Sequence, residues 1–291
     1  MEISPLKLME GCLIRDMITK KIWIYWHQGW DQAPPLVQQA KNSWSKLNYG
    51  YEIHALDQVT LFDFIEFPPT IHLQRKDLNV QKIAALGRLA LLAKYGGVWV
   101  DATVVCNRPL DTWLADYHTA QFFAFRNPRP DRLMANWFIA AEPQSIILQR
   151  LYESFFAYYA DNHFSNQDTV LGNILLRCFN QLWSNDVKTT LKWHTWFARK
   201  ILRVYPYYIF HYTFNKLILS DPECGKLWHQ AKPFKASAPH RLQGLAAYQD
   251  GIKRAIREIN SGLTPLYKLD WRVDSSTPYW TTVLEYLEKQ A

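Results

Sequence analysis

The stretch Gly96-Gly-Val-Trp-Val-Asp-Ala-Thr103 decides the fold of this chain. It follows residues 80–95, whose apolar side chains lie nearly all round a helical pattern, as is typical of a buried helix. The two glycines end that helix, and Val98–Val100 are typical of a buried strand that ends at Asp101. Ligands of open α/β sheets bind at the carboxyl ends of the strands, so Asp101 is a candidate functional residue.

Strand and helix patterns alternate along the first 105 residues, which predicts an α/β sheet. Beyond Pro143 the pattern turns helical as far as about residue 230. We therefore predict one domain with an α/β core at 1–142, a mainly helical insertion at 143–235 and a closing segment at 236–291. The predicted strands are 21–26, 51–56, 98–101, 121–125, 136–141 and 266–271. One predicted helix is opened by Pro34-Pro35 and runs to about residue 47, a short one follows an Asp57 N-cap, and one at 80–95 follows an Asn79 N-cap. The later predicted helices are 145–159, 168–183, 207–219 and 278–290.

Composition excludes a disordered tail and collagen-like or low-complexity chains. The chain has 291 residues, of which 48% are hydrophobic and 20% charged, so it is long and apolar enough for a core of its own. Its four cysteines, among them Cys12, form no CxxC, which indicates neither a disulfide framework nor a zinc site and favours a reducing compartment. The N-terminus has no signal-peptide pattern, and no run of 18 apolar residues predicts a membrane span.

Aromatic residues and basic residues are both in excess. Aromatic residues make up 15% of the chain, which is compatible with a carbohydrate site, a nucleic-acid surface or a membrane-docked face. Residues 188–272 hold 15 Lys and Arg against 5 Asp and Glu, although the whole chain carries only +7. This segment is either a solvated helical surface or one that meets phosphates or anionic lipid.

Asp101 and Thr103 suggest a metal site if the strand continues through both. Residues i and i+2 of a strand face the same side, so the carboxylate and the hydroxyl would share one space. Such a pair can hold a divalent ion that takes its other ligands from water and substrate phosphates. The alternative from these residues alone is an Asp that begins a turn after the strand.

The array from Arg88 through Lys94-Tyr-Gly-Gly-Val-Trp-Val-Asp101-Ala-Thr103 resembles the sugar-nucleotide-binding core of glycosyltransferases with a DXD motif. More closely, it is similar to the bacterial capsular polysaccharide synthesis family. The likeness extends over nearly the whole chain, through residues 21–26, 33–36, 51–53, 137–140, 210–212, 239–240 and 266–271. The chain departs from the family pattern at Thr103, where a second carboxylate is absent, and at Ala84-Ala85, where the family has Ser-Asp.

The resemblance implies a GT-A fold, which is a Rossmann-like α/β fold, and a metal-assisted glycosyltransferase that uses Mn²⁺ or Mg²⁺. The implied reaction moves a hexose from a UDP-sugar to a hydroxyl of a growing capsule polysaccharide or lipopolysaccharide, with retention of anomeric configuration. The alternatives are a degenerate, non-catalytic protein that binds sugar nucleotides or glycans, and a nucleic-acid-binding protein, for which no recognition motif is present. We expect a cytoplasmic protein with peripheral contact to the inner membrane face, where a lipid-linked acceptor would lie.

Most of the site residues are implied by the resemblance; Trp26 is chosen because it borders the loop after the first strand, and Asp168 is considered because it lies at the start of a predicted helix. Asp101 and Arg88 are the candidate catalytic residues; Asp101, Thr103 and His240 are the candidate metal ligands. His211 and Asp168 are candidates for the acceptor side of the cleft, with a buried structural His and a helix N-cap as their alternatives. His240 has a surface histidine as its alternative, Trp26 has core packing, and Arg88 has an ion pair with a carboxylate of the core. The candidate donor-binding residues are Trp26, Arg88, Asp101, Thr103, Lys268 and Trp271.

Overall fold

The computed structural model describes residues 18–71 and 75–290. Cys12 and the N-terminal stretch considered for a signal pattern therefore lie outside the described residues. Cys106, Cys178 and Cys224 are free thiols, and the expectation that the chain has no disulfide framework stays a prediction. Within 18–71 and 75–290, no helix is both long enough and apolar enough to cross a membrane.

A five-stranded mixed sheet lies at the centre of the molecule, in the order β2-β1-β3-β6-β5. The three strands from the first part of the chain are parallel, whereas β6 runs antiparallel to β3, and β5 antiparallel to β6. This arrangement confirms the α/β class. The strands are β1 (Lys21–Tyr25), β2 (Glu52–Leu56), β3 (Gly97–Asp101), β5 (Phe122–Arg129) and β6 (Arg132–Ala141).

A second, two-stranded sheet joins distant parts of the chain. Strand β4 (Val104–Cys106) pairs antiparallel with β7 (Leu266–Lys268), with Val104 opposite Lys268. The late segment is thereby fixed directly beside the residues that follow Asp101. The predicted late strand was too long, because regular pairing ends at Lys268 rather than at Trp271.

Ten α-helices are assigned within the described residues. Pro35 begins α1 and the Asn79 side chain caps α3, accepting a hydrogen bond from the Lys82 amide at 3.2 Å, as predicted. The helices are α1 (Pro35–Leu47), α2 (Leu61–Phe64), α3 (Val80–Tyr95), α4 (Ile146–Ala160), α5 (Val170–Trp183), α6 (Ile209–Ser220), α7 (Pro222–Gln230), α8 (Arg241–Leu245), α9 (Gly251–Asn260) and α10 (Pro278–Gln290).

Two of the predicted N-caps are wrong by one to three residues. The Asp57 carboxylate accepts bonds from the Val59 and Thr60 amides, so it forms a turn, and α2 begins only at Leu61. Asp168 has a φ of 62° and leaves the cap of α5 to Thr169, whose hydroxyl accepts a hydrogen bond from the Gly172 amide at 3.0 Å. Both sites hold adjacent residues that can cap, and pattern alone does not choose between them.

The central strands divide their side chains between two cores. Trp23 and Trp99 face a cluster that includes buried residues of α3, α4 and α6. Val98 and Val100 face the opposite side and pack with residues that include Trp44 of α1. A third cluster joins α1 to β7, α9 and α10. Because α4 and α6 share a core with α3, the helical region packs directly against the sheet. The division of the chain into three parts stays a prediction.

Candidate functional site

Asp101 is the last residue of β3, the strand that begins at Gly97 with a close approach to β1. Gly97 has a φ of 95°, and a Cβ there would lie 2.4 Å from the Lys21 carbonyl oxygen, so only glycine lets β3 begin against β1. The strand then runs to Asp101, which stands opposite Tyr25, the last residue of β1. The carboxylate is thus at the carboxyl edge of the parallel strands, as the sequence predicts, with 31% of its side chain exposed.

The Asp101 carboxylate is held by two donors through one oxygen. Arg88 Nη2 donates to Oδ1 at 2.8 Å, and Trp99 Nε1 donates to the same oxygen at 3.0 Å. Neither of these bonds uses Oδ2. One carboxylate oxygen is therefore fixed in place while the other is available to a ligand.

Arg88 is a buried cation enclosed by aromatic rings. Its residue surface is only 4% exposed, and its guanidinium carbon lies 4.8 Å from the Trp99 ring centroid and 5.5 Å from that of Phe210. Its Nε and Nη1 are buried and have no hydrogen-bond partner among the described residues. Burial lowers the pKa of Arg88 below its ordinary value, and the charge of Asp101 opposes that shift.

Lys268 contacts Thr103 across the small sheet. The Lys268 ammonium donates to the Thr103 hydroxyl and, at 3.2 Å, to the carbonyl oxygen of Leu269. Burial lowers the pKa of Lys268, and the nearby charge of Asp101 acts in the opposite direction. The structure therefore brings together four of the predicted residues: Arg88, Asp101, Thr103 and Lys268.

The geometric argument that paired Asp101 with Thr103 is wrong. Strand β3 ends at Asp101, and Ala102 and Thr103 form a turn before β4, so alternation along one strand does not apply. Thr103 is buried, and its hydroxyl already accepts a bond from the Lys268 ammonium.

Trp26 and Trp271 meet although 244 residues separate them in the chain. Their rings are 6.1 Å apart in an edge-to-face arrangement. The Trp26 indole nitrogen is buried with no partner among the described residues, whereas Trp271 is 44% exposed. The segment after β7 thus contacts the loop after β1, at the edge of the sheet that also holds Asp101.

His240 lies near Lys268 but forms no metal cluster with Asp101. Its ring meets Trp137 edge to face at 5.8 Å. Burial first and the charge of Lys268 second lower the pKa of His240, which favours a neutral imidazole. Within residues 18–71 and 75–290, no group of three or more His, Cys, Asp and Glu side chains is placed to hold a metal ion.

A divalent ion fits this donor set only with help from a substrate. Asp101 Oδ2 is the carboxylate oxygen left uncommitted by the contacts of Arg88 and Trp99. One carboxylate together with substrate phosphates and water is a usual ligand set for Mg²⁺. Asp101 is therefore the residue that would hold the ion, while the roles predicted for Thr103 and His240 stay predictions.

His211 and Asp168 lie in different surroundings. His211 is buried on α6, and its Nδ1 has no hydrogen-bond partner among the described residues. Burial and the charges of Arg132, Arg88 and Lys82 hold the pKa of His211 well below its ordinary value, so the ring is neutral beside Arg88. Asp168 is exposed at the start of α5, whereas the two donors to Asp101, Arg88 and Trp99, come from α3 and β3.

Sequence reasoning missed Lys82 as a buried cation of the same region. Its ammonium donates to the Tyr207 carbonyl oxygen at 2.7 Å and lies 5.2 Å from the ring centroids of Tyr205 and Tyr207. Burial lowers the pKa of Lys82 to about 7. No spacing signal groups it with Arg88, because six residues correspond to about 120° around a helix, so the two cations leave α3 from different faces.

The fold and the site together define the class of protein: an α/β protein with a carboxylate and two cations at the carboxyl edge of its sheet. A family model described as capsular polysaccharide synthesis protein matches residues 14–195, and the chain belongs to that family. No solved structure matches.

Curated relatives include fungal and viral glycosyltransferases. The chain is 29% identical to O-glycosyltransferase braB of Annulohypoxylon truncatum over 155 residues, which are 47% of this chain and 37% of the relative. It is 26% identical to O-glycosyltransferase PaGT of Phomopsis amygdali over 161 residues, 49% and 39% of the two chains. An uncharacterized glycosyltransferase, L373 of Acanthamoeba polyphaga mimivirus, is 24% identical over 164 residues, 55% and 64% of the two chains. The matched region thus spans about two fifths of the fungal relatives, and a bacterial origin stays a prediction.

Proposed function

We propose that this chain is a glycosyltransferase of the GT-A fold that moves a sugar from a nucleoside diphosphate, UDP in the first instance, to a hydroxyl of a glycan. The observation that carries the proposal is the grouping of Asp101, Arg88 and Lys268 at the carboxyl edge of the sheet. Membership of the capsular polysaccharide synthesis family and the names of the curated relatives support the same reaction.

The cations suit a leaving group that gains negative charge. When the bond from the anomeric carbon to the diphosphate breaks, the electron pair goes to the phosphate oxygen, and Lys268 and Arg88 stabilise that charge from fixed positions. A divalent ion held by Asp101 would supply further charge neutralisation at the diphosphate. The acceptor hydroxyl attacks the anomeric carbon from the same face that the diphosphate leaves, so the configuration is retained, and the hydroxyl proton passes to the departing phosphate oxygen. Transfer of a hexose with retention of configuration is part of the proposal.

The two tryptophans suit the nucleoside end of the donor. Trp271 is partly exposed and meets Trp26 edge to face, so its free surface can take a planar base or a sugar ring. Arg272 lies over the Trp271 ring at 4.9 Å and adds positive charge at the rim. The late segment would then contact the donor together with the loop after β1.

A second candidate is a binding protein that has lost catalysis. The observation that favours it is that residues 18–71 and 75–290 hold no group of three or more His, Cys, Asp and Glu side chains that could bind a metal ion, and that Ala85 occupies the buried α3 position one turn before Arg88. Such a protein would bind a sugar nucleotide through Arg88 and Lys268 and release no product.

Release of UDP from a panel of UDP-hexoses, with Mn²⁺ and a glycan acceptor present, separates the two candidates. Asp101→Asn is expected to lower UDP release by about a hundredfold or more, because the variant keeps the shape of the side chain but loses its charge. Asp116→Asn, an exposed carboxylate on a different loop, is the matched control and should turn over at the wild-type rate. Undiminished turnover by Asp101→Asn would overturn the proposed mechanism, and calorimetric binding without turnover by the wild type would establish the second candidate.

A further inference from the structure

Helix α5 turns an apolar stripe toward solvent. Leu171, Ile174, Cys178 and Leu182 recur three to four residues apart, so they share one face of the helix. Leu171 is 56%, Ile174 55% and Leu182 60% exposed, and Val170 at the helix start is exposed as well. The opposite edge of the helix packs inward through residues such as Phe179. A soluble surface helix ordinarily presents charged residues where α5 presents these.

A neighbouring π-helical turn, Phe197–Leu202, extends the apolar stripe. The Phe179 and Phe197 rings are 6.2 Å apart, and the Asn166 side chain, just before α5, donates to the Leu202 carbonyl oxygen at 2.9 Å. The two segments therefore form one surface, which we name the 170–203 surface. Its exposed large apolar residues are Val170, Leu171, Ile174, Leu182, Trp196, Phe197 and Ile201.

The same surface carries an excess of positive charge. Residues 170–203 contain six basic side chains and a single acidic one, Asp186. None of the six forms an ion pair with a carboxylate of the described residues. The six are Arg177, Lys188, Lys192, Arg199, Lys200 and Arg203.

We propose that the 170–203 surface docks on an anionic lipid bilayer. A bilayer takes apolar side chains into its interface and meets nearby cations with its phosphates, so it matches both properties of the surface at once. Trp196, which is 63% exposed, is of the residue type that favours the membrane–water interface.

A second copy of the chain matches this surface less well. A symmetric dimer places the same patch on both sides of the interface, so two sets of unpaired cations would face each other. Like charges brought together in this way oppose association. Charge complementarity therefore favours the bilayer.

Co-sedimentation with lipid vesicles tests the proposal without any measurement of activity. The full chain should sediment with vesicles of phosphatidylcholine that contain about one third phosphatidylglycerol, and it should bind pure phosphatidylcholine vesicles at least tenfold more weakly. Replacing Leu171, Ile174 and Leu182 together by Gln should weaken binding to the anionic vesicles about tenfold or more. Lys188→Glu with Lys192→Glu should also weaken it, and added salt should weaken wild-type binding.

Matched variants elsewhere on the surface are the controls. Tyr49, Val59 and Leu263 are exposed apolar residues outside the 170–203 surface, and their joint replacement by Gln should leave vesicle binding unchanged. Lys46→Glu with Lys253→Glu is the matching charge control. All of these positions are exposed, so each variant should keep the wild-type circular dichroism spectrum and unfolding midpoint.

Three outcomes would overturn the proposal. The first is wild-type protein that stays in the supernatant with anionic vesicles. The second is vesicle binding that the Leu171, Ile174 and Leu182 replacements leave undiminished. The third is a wild-type dimer in sedimentation velocity that those replacements dissociate, with no vesicle binding, which would assign the surface to a second copy. None of these outcomes bears on UDP release, so the proposed function is tested separately.

Discussion

Helices α3 and α5 have similar apolar content but very different surroundings. Nine residues of α3 are buried, and they include the cations Lys82 and Arg88. In α5, by contrast, Gly172 is the buried residue and apolar side chains face outward. The comparison shows that apolar content predicts that a segment is helical but does not predict which other part of the molecule packs on it. A helix of a water-soluble protein usually buries its apolar side chains and exposes its charged ones. Helix α3 buries charged side chains and α5 exposes apolar ones, and these are the places where we propose a sugar nucleotide and a lipid bilayer, respectively.

The largest expected change in stability comes from the glycine turn between α3 and β3. Gly97→Ala would set a Cβ 2.4 Å from the Lys21 carbonyl oxygen at a φ of 95°, so the pairing of β3 with β1 must shift. We expect the free energy of unfolding to fall by about 4 kcal/mol, from backbone strain and overpacking together. Urea unfolding monitored by tryptophan fluorescence measures the change.

Gly244→Ala is the matched control for Gly97→Ala. A Cβ at Gly244, within α8, has no heavy atom within 4 Å other than those of its chain neighbours and its own helix backbone, so the variant should be unchanged or more stable by up to about 1 kcal/mol. A Gly97→Ala protein as stable as the wild type would contradict the role of glycine in the approach of β3 to β1.

The second effect compares equivalent truncations in the two helices. Leu89→Ala, at a fully buried α3 position, should lower the free energy of unfolding by about 3 kcal/mol, because it leaves a cavity. Leu182→Ala, at a 60% exposed α5 position, should change it by about 0.5 kcal/mol or less. Thermal and urea unfolding of both variants measure the contrast. Equal losses would show that α5 is covered by part of the chain and would remove the basis for a docking surface.

Much of the fold could be predicted because its signals are local. Pro35, Asn79 and the Gly96-Gly97 pair set the limits of α1 and α3 through caps and backbone conformation. Strand lengths were less predictable: β5 and β6 extend beyond the predicted segments, because they pair with each other past the edge of the central sheet. Pairing partners lie far apart in sequence, and no local pattern encodes them.

The candidate site was predicted in parts rather than as an arrangement. Asp101 and Arg88 follow from a helix, a glycine turn and a strand, all of which are local signals. The bond from Lys268 to Thr103 depends on the pairing of β7 with β4, and the sequence contains no sign of that pairing. Resemblance to a known family, rather than periodicity, pointed to Lys268. Lys82 lay outside both kinds of signal, because its burial comes from the segment that contains Tyr205 and Tyr207.

The third effect concerns charge inside α3. Lys82→Met should raise the free energy of unfolding by about 2 kcal/mol near pH 7, because a buried ammonium is replaced by an apolar chain of similar length. The loss of the hydrogen bond to the Tyr207 carbonyl limits the gain. Urea unfolding of both proteins between about pH 7 and pH 10 measures it.

The pH dependence identifies the cause of that gain. Burial lowers the pKa of Lys82 to about 7 in the folded chain, whereas an unfolded lysine titrates near 10.5. Between these values the unfolded chain binds more protons, so the wild type becomes more stable as the pH rises. Met does not titrate, and the advantage of the variant should therefore shrink toward pH 10. A difference that stays constant over this range would show that packing rather than charge separates the two proteins.

The smallest effect tests what the two helices share. Asn79 and Thr169 each accept a hydrogen bond from the amide three residues on, and this contact is independent of what covers the helix. Asn79→Ala and Thr169→Ala should therefore each lower the free energy of unfolding by about 1 kcal/mol. Asp168→Gly should cause no such loss, since Asp168 is not the cap and its φ of 62° suits glycine. If Thr169→Ala were silent and Asp168→Gly costly in urea unfolding, the cap of α5 would be Asp168, and the exposed stripe of that helix would have to be redrawn from its first turn.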